Sequence, residues 1–300
     1  MDWDQIDNSP ARIRQLLDER GLTPKKRWGQ NYMIAPSTRE KIVRLLDPTD
    51  RDSVWEIGPG LGSLTALIIE RVASLTVFEI DWGMIRVVED RFSDRISVVQ
   101  GDAVQTLADT SRMLPDLVVG NLPYRSAAAI IGVLLERADL ASSVRRIVVT
   151  VQREMARRMV AAPGSGDYSP FSILCALATD ASLDGDIPHA HFHPRPNVTS
   201  SIVSLCPRQI DPHELHVTTF IARTLFAARR KMISNNLGPI SDATGISAEE
   251  LLGLWKEIGI AGSERAETLS SATFLEMARG LNRELTTRDI ALPTPGEPYQ

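Results

Sequence analysis

The sequence predicts an α/β fold, a parallel doubly wound sheet followed by a smaller all-α domain, and three observations predict it. Short apolar runs recur at "SVWEIG", "SLTVFEI", "ISVVQGD", "DLVVGN" and "RRIVVTV", each suited to one buried strand. Stretches with helical spacing, such as "SLTALIIERV" and "AAAIIGVLLERA", separate them, which is the alternation of a doubly wound sheet. Beyond about residue 208 the pattern turns helical.

Ahead of the sheet, "NSPARIRQLLDERG" carries a Ser9-Pro10 helix start with Ile13, Leu16 and Leu17 on one face, and "STREKIVRLL" opens with a Ser37-to-Glu40 capping box. After the β-rich "RPNVTSSIVSLCP", helical spacing in "FIARTLFAARRKMISNNLG" runs to Gly238, and "SAEELLGLWKEIG" has a capping box from Ser247 to Glu250. The boundary falls near Pro207 to Pro212. This gives a first domain over 1–208 with an N-terminal helical extension, a helical domain over 209–283, and a tail over 284–300. The tail ends in "ALPTPGEPYQ", too rich in Pro and too poor in apolar residues to pack.

With 300 residues, 43% of them hydrophobic, the chain can bury a sizeable core. No apolar run reaches the ~18 residues that cross a bilayer, and "MDWDQIDNSPARIRQ" is unlike a secretion signal, so a cytoplasmic location is expected. Cys175 and Cys206 are the only cysteines, too few for a disulfide framework or a Cys-type zinc site. His189, His191 and His193 alternate through a proline-rich stretch without metal-ligand spacing, and no metal is expected. A net charge of -5 argues mildly against a nucleic-acid partner. The local clusters "TPKKRWGQ", "RRIVVTVQREMARRM" and "LFAARRKMI" argue for one, because local potential decides where a polyanion docks.

The first strand-to-helix turn reads "EIGPGLGSLT", with glycines at 58, 60 and 62. A dinucleotide fingerprint is G-x-G-x-x-G; here Ser63 holds the last position and the third Gly comes one residue early. That spacing suits a nucleoside ligand without a pyrophosphate. Glu79 ends the second strand about 20 residues on, where a carboxylate accepts from ribose hydroxyls. Asp102 ends the third, and is either a cap or an acceptor for an adenine amine. The fourth strand delivers Asn121-Leu122-Pro123-Tyr124 to the same edge. Methyl transfer to the exocyclic amine of adenine needs acceptors for its hydrogens, because the nitrogen lone pair is delocalised into the ring. The Asn121 side chain and the Leu122 backbone offer two carbonyls, Pro123 fixes the turn, and Tyr124 offers a face for a flipped base.

These motifs together resemble the ribosomal RNA adenine dimethyltransferases that use S-adenosylmethionine, in the branch acting on small-subunit rRNA. The resemblance spans about residues 20–282 through "KKRWGQNYM", "EIGPGLGSLT", "FEID", "GDA", "NLPY", "QREMARRMVAAPGSGDYSPFS", "FHPRPNVTSSIV" and "FAARRKMISNNL". It implies a Rossmann-like methyltransferase sheet. It also implies that Asn31, Met33, Gly58, Gly60, Glu79, Asp102 and Asn121 meet the cofactor. Asn121, Leu122, Pro123 and Tyr124 would hold the target adenine, with Phe192 on its other face. Lys25, Lys26, Arg27, Arg153, Arg157, Arg229, Arg230 and Lys231 would meet rRNA in a pre-ribosomal particle, the protein acting as a monomer on two adjacent adenines near the 3′ end. Arg125, Ser126 and three alanines stand where the family usually has an Asn-aliphatic-Ser/Thr run and a Pro, and Trp28, Tyr32 and Met33 replace commoner Phe or Leu. Alternatives are a large-subunit rRNA methylase, an assembly factor that binds without methylating, and an NAD-dependent oxidoreductase.

Overall fold

A computed structural model describes residues 2–23, 30–109 and 111–292. Its strands are β1 (Tyr32–Met33), β2 (Ser53–Ile57), β3 (Ser74–Glu79), β4 (Ser97–Gln100), β5 (Leu117–Asn121), β6 (Arg146–Gln152), β7 (Thr179–Ile187), β8 (Phe192–His193) and β9 (Ser200–Pro207). Seven of them form one sheet in the order β4-β3-β2-β5-β6-β9-β7, and β1 pairs with β8 in a separate antiparallel ribbon.

The α-helices are α1 (Trp3–Asn8), α2 (Pro10–Glu19), α3 (Pro36–Leu46), α4 (Thr65–Ile68), α5 (Trp82–Phe92), α6 (Ala103–Thr106) and α7 (Ala127–Glu136), followed by α8 (Ala138–Ser143), α9 (Arg153–Met159) and α10 (Pro170–Ala178). The C-terminal part contributes α11 (Pro212–Phe226), α12 (Gly238–Thr244), α13 (Ala248–Lys256) and α14 (Ser271–Arg288).

Alternation along each strand divides the core. Trp55, Val118 and Val149 enter one cluster with Ile130 and Ile131 of α7; their neighbours Val54, Val119 and Val148 enter another with Ile42 and Leu46 of α3. The sheet is thereby covered on both faces, as a parallel sheet requires. A further cluster joins Ile221, Trp255, Phe274 and Leu281 of the helical part to Tyr168 and Ile173, and the Tyr168 hydroxyl donates to Leu269 O at 2.9 Å.

The structure corrects four expectations. The sheet is parallel only from β4 to β6, since β9 runs antiparallel to both β6 and β7. A parallel return usually runs through a crossover α-helix, and no α-helix lies between β7 and β9. Ser37 does not cap α3: the helix begins two residues earlier than that cap would set, with Ala35 at the cap position and Pro36 in the first turn. The helical run expected to reach Gly238 stops at Phe226, where the buried Asn236 side chain donates to Leu225 O at 2.8 Å and satisfies a carbonyl of the last turn. Finally, α14 continues through 284–288, and Ile290 and Leu292 pack on the helical core, so the tail begins later than position 284. Ser9 caps α2 by accepting from Arg12 N, and Ser247 and Glu250 form a complete capping box.

Candidate active site

The carboxyl ends of β2, β3 and β5 converge on one cleft, the position where an open α/β sheet holds its ligand. At the end of β2 the chain enters the glycine turn. Gly58, Gly60 and Gly62 adopt φ of 71°, 57° and 80°, a left-handed region costly for residues with a Cβ. Gly60 also has no room to spare, because a Cβ there would lie 3.3 Å from the Tyr32 ring.

Glu79 at the end of β3 is buried, yet Oε1 accepts from Ile80 N and Asp81 N, both at 2.9 Å, and Oε2 accepts from Gly60 N at 3.4 Å. One carboxylate thus ties the β3 end to the glycine turn. Burial pushes its pKa up, opposed by those backbone bonds.

Sequence reasoning missed Glu56. It lies within β2, is buried, lines the same cavity as Glu79, and accepts from the Thr65 hydroxyl at 2.7 Å. Burial, with a smaller contribution from the charge of Glu79, raises its pKa to about 7. The signal was present: a carboxylate inside the apolar strand "SVWEI" has no packing reason to be there.

The cleft has two adjoining lobes that share Gly58, Glu79, Ile80 and Pro123. One is lined by Asn31, Met33, Glu56, Gly60 and Asn121, the other by Phe78, Asp102, Ala103, Arg125 and Ser126. Asp102 caps α6, its Oδ1 accepting from Val104 N at 2.9 Å, and it lines the second lobe as well. The two readings of this residue are therefore compatible.

Asn121 ends β5 with its side-chain amide donating to Asn31 O at 2.8 Å, which directs the amide toward the β1 segment. The Leu122 side chain is buried and its N–H donates to Thr150 O at 3.0 Å, fixing the turn from the β6 side. Half-buried Tyr124 is held through its hydroxyl by Ser200 Oγ at 2.6 Å. Met33 pairs with Phe192 across the β1–β8 ribbon, and its side chain belongs to the cluster under α3.

Phe192 is not brought to the cleft. Its ring is 1% exposed and packs in that same cluster with Ile42 and Leu46, so its apolar area is already used in the core and cannot form the second face for a base. Arg229 is also committed elsewhere. It donates to the Glu267 carboxylate at 2.5 Å and to Gly166 O and Ser165 O at 2.9 and 2.8 Å, joining the loop before α10 to the helical part. Arg153 pairs with Asp186 at 3.7 Å, while Arg157, Arg230 and Lys231 are exposed. Lys25, Lys26 and Arg27 lie outside the described residues. His189 and His191 hold loops, His189 bonding to Pro196 O at 2.7 Å and His191 to the Thr38 hydroxyl at 2.7 Å. Among the described residues no helix is long and apolar enough to cross a membrane.

Comparison with known proteins fits this geometry. A protein from Treponema pallidum named ribosomal RNA small subunit methyltransferase A is 37% identical over 278 residues, covering 90% of this chain and 95% of its own. One of the same name from Borrelia garinii is 33% identical, covering 92% and 95%. The crystal structure of a dimethyladenosine transferase from Plasmodium falciparum superposes with a TM-score of 0.73 at 22% identity, over 87% of this chain and 99% of that one. Residues 21–283 match the family described as ribosomal RNA adenine dimethylase, and the chain belongs to that family.

Proposed function

We propose that this chain transfers methyl groups from S-adenosylmethionine to the exocyclic amine of adenines in small-subunit rRNA, at two adjacent adenines near the 3′ end, giving dimethyladenosine during ribosome biogenesis. The observation that carries this reading is the placement of Asn121 beside a cavity lined by two buried carboxylates.

The donor set fits the cofactor. Glu56 and Glu79 raise the cost of any anion in the cavity and lower that of a cation, which disfavours a dinucleotide pyrophosphate and suits a cationic methionine portion. Bound there, S-adenosylmethionine supplies an activated methyl group on a positively charged sulfur. Asn31, Met33, Gly58 and Gly60 would enclose its methionine portion, with Glu56 as counter-charge. Glu79 would accept from the ribose and Asp102 from the adenine, in the adjoining lobe.

The remaining work belongs to the Asn121 turn. With its amide engaged by Asn31 O, the side-chain carbonyl of Asn121 is left to accept from the target amine, and the Leu122 carbonyl supplies a second acceptor. Accepting both hydrogens localises the nitrogen lone pair and fixes its line of approach. The Tyr124 ring, steadied by Ser200, gives the flipped base a surface to stack on.

On this reading the protein acts as a monomer on a pre-ribosomal particle in the cytoplasm. The test is parallel incubation of undermethylated small subunits and of large subunits with the protein and labelled S-adenosylmethionine, followed by nucleoside analysis. Label in dimethyladenosine of small subunits is expected; label confined to large subunits would move the activity to the alternative substrate.

A further inference from the structure

The helices α1 and α2 precede residue 21, where the match to the family begins. They nevertheless reach the cofactor cavity by two routes. Ile6, Ile13, Leu16 and Leu17 bury against Tyr32 and Leu61, which line that cavity from the β1 segment and the glycine turn.

The second route is polar and buried. The Asp7 carboxylate receives a bidentate pair from Arg91 of α5, at 2.9 and 2.7 Å, with both side chains at most 5% exposed. The guanidinium lies 4.6 Å from the Trp3 ring centre, closed over by the same short helix. From this position Arg91 Nη1 also donates to Leu61 O, inside the glycine turn, at 2.9 Å. Arg39 of α3 completes the arrangement by donating to Asp7 O at 3.1 Å and to Met33 O at 3.2 Å, and its other terminal nitrogen bonds Asn8 Oδ1. Two backbone carbonyls of residues that line the cavity are therefore held by two arginines, and Asp7 bonds both of those arginines.

We infer that the N-terminal extension is a positioning device for the cofactor cavity, with Asp7 fixing the Arg91 and Arg39 guanidiniums that hold Leu61 and Met33 in place. This rests on the methyltransferase reading of the cleft. Arg91 can address Leu61 O only while its planar fork is oriented by the two Asp7 oxygens, because a free guanidinium on a long stem has many rotamers. The device explains why a chain segment remote from the strand ends carries a fully buried ion pair, an arrangement that is a weak source of stability alone.

Removing Asp7 alone leaves buried positive charge and confounds stability with position. The informative variant is Asp7→Leu combined with Arg91→Met, which keeps the apolar stem of Arg91 while deleting both charges, the guanidinium over Trp3 and the bond to Leu61 O. Cofactor binding is read by calorimetry with S-adenosylmethionine, turnover with undermethylated small subunits, and folding by thermal melting. The expected result is a melting temperature near wild type, a dissociation constant for S-adenosylmethionine weakened about tenfold, and kcat at saturating cofactor within about twofold. A folded double variant with wild-type affinity overturns the inference, as does a parallel loss of affinity and kcat. Should the double variant not fold, Asp7→Asn is read by the same split between affinity and kcat. Failure of the wild-type protein to bind S-adenosylmethionine would instead refute the reading of the cleft.

Discussion

The side-chain amide of Asn121 donates to the backbone carbonyl of Asn31 at 2.8 Å, joining the end of β5 to a segment ninety positions earlier. One side chain thereby closes the cavity wall and orients its own free carbonyl. Asn121→Asp keeps an acceptor but places a carboxylate oxygen against Asn31 O. The expected outcome is weaker cofactor binding together with a loss of kcat of about 100-fold or more, read by calorimetry and single-turnover transfer.

Glu56 predicts a pH dependence. Its pKa is raised from the ordinary 4.5 to about 7, so between those values the folded state binds more protons than the unfolded. Stability therefore falls as pH rises through this window and the cost is fully present above pH 7. Glu56→Gln should remove the part of the slope that belongs to Glu56 and stabilise the free protein at pH 8 by about 3 kcal/mol. Affinity for the cationic cofactor should rise with pH across the same window in the wild type and stay flat in the variant. Melting curves and titrations from pH 5 to pH 8 check both.

Gly60 combines a φ of 57° with a Tyr32 ring carbon 3.3 Å from where a Cβ would sit. Gly60→Ala should cost about 1 to 2 kcal/mol by the left-handed backbone alone. It should also weaken cofactor binding, because the Gly60 N–H that reaches Glu79 must shift. Thermal melts with and without S-adenosylmethionine separate the two effects.

The basic cluster divides by structure. Arg229→Ala should destabilise by about 1 to 2 kcal/mol through loss of its bonds to Glu267 and the loop carbonyls. Replacing exposed Arg230 and Lys231 by Ala should leave melting unchanged and lower the salt slope of particle binding by about one for each phosphate no longer neutralised.

Much of this was legible in the sequence because it depends on local pattern. The five parallel strands were visible as apolar runs, and the glycine turn, Glu79 and Asn121 as residues placed where those runs end. What was not legible depends on partners distant in the chain. The edge strand β7, "TDASLDGDI", has no apolar run to mark it, and the direction of β9 follows from its return connection rather than its composition. Phe192 sits in a two-residue strand, too short for alternation to say which way the ring points. Arg229 in "AARRK" is indistinguishable by sequence from Arg230, since only the fold brings Glu267 to one of them. The bond between Asn121 and Asn31 was likewise invisible, although both residues were singled out.

The measurement that tests the account most directly is Asn121→Ala, compared with wild type for S-adenosylmethionine affinity and for dimethyladenosine formed on undermethylated small subunits. The carbonyl aimed at the target amine should cost about 100-fold or more in kcat, while loss of the single bond to Asn31 weakens cofactor binding by less than about tenfold. Equal losses in the two quantities would contradict the account and make Asn121 a residue of the cofactor cavity alone.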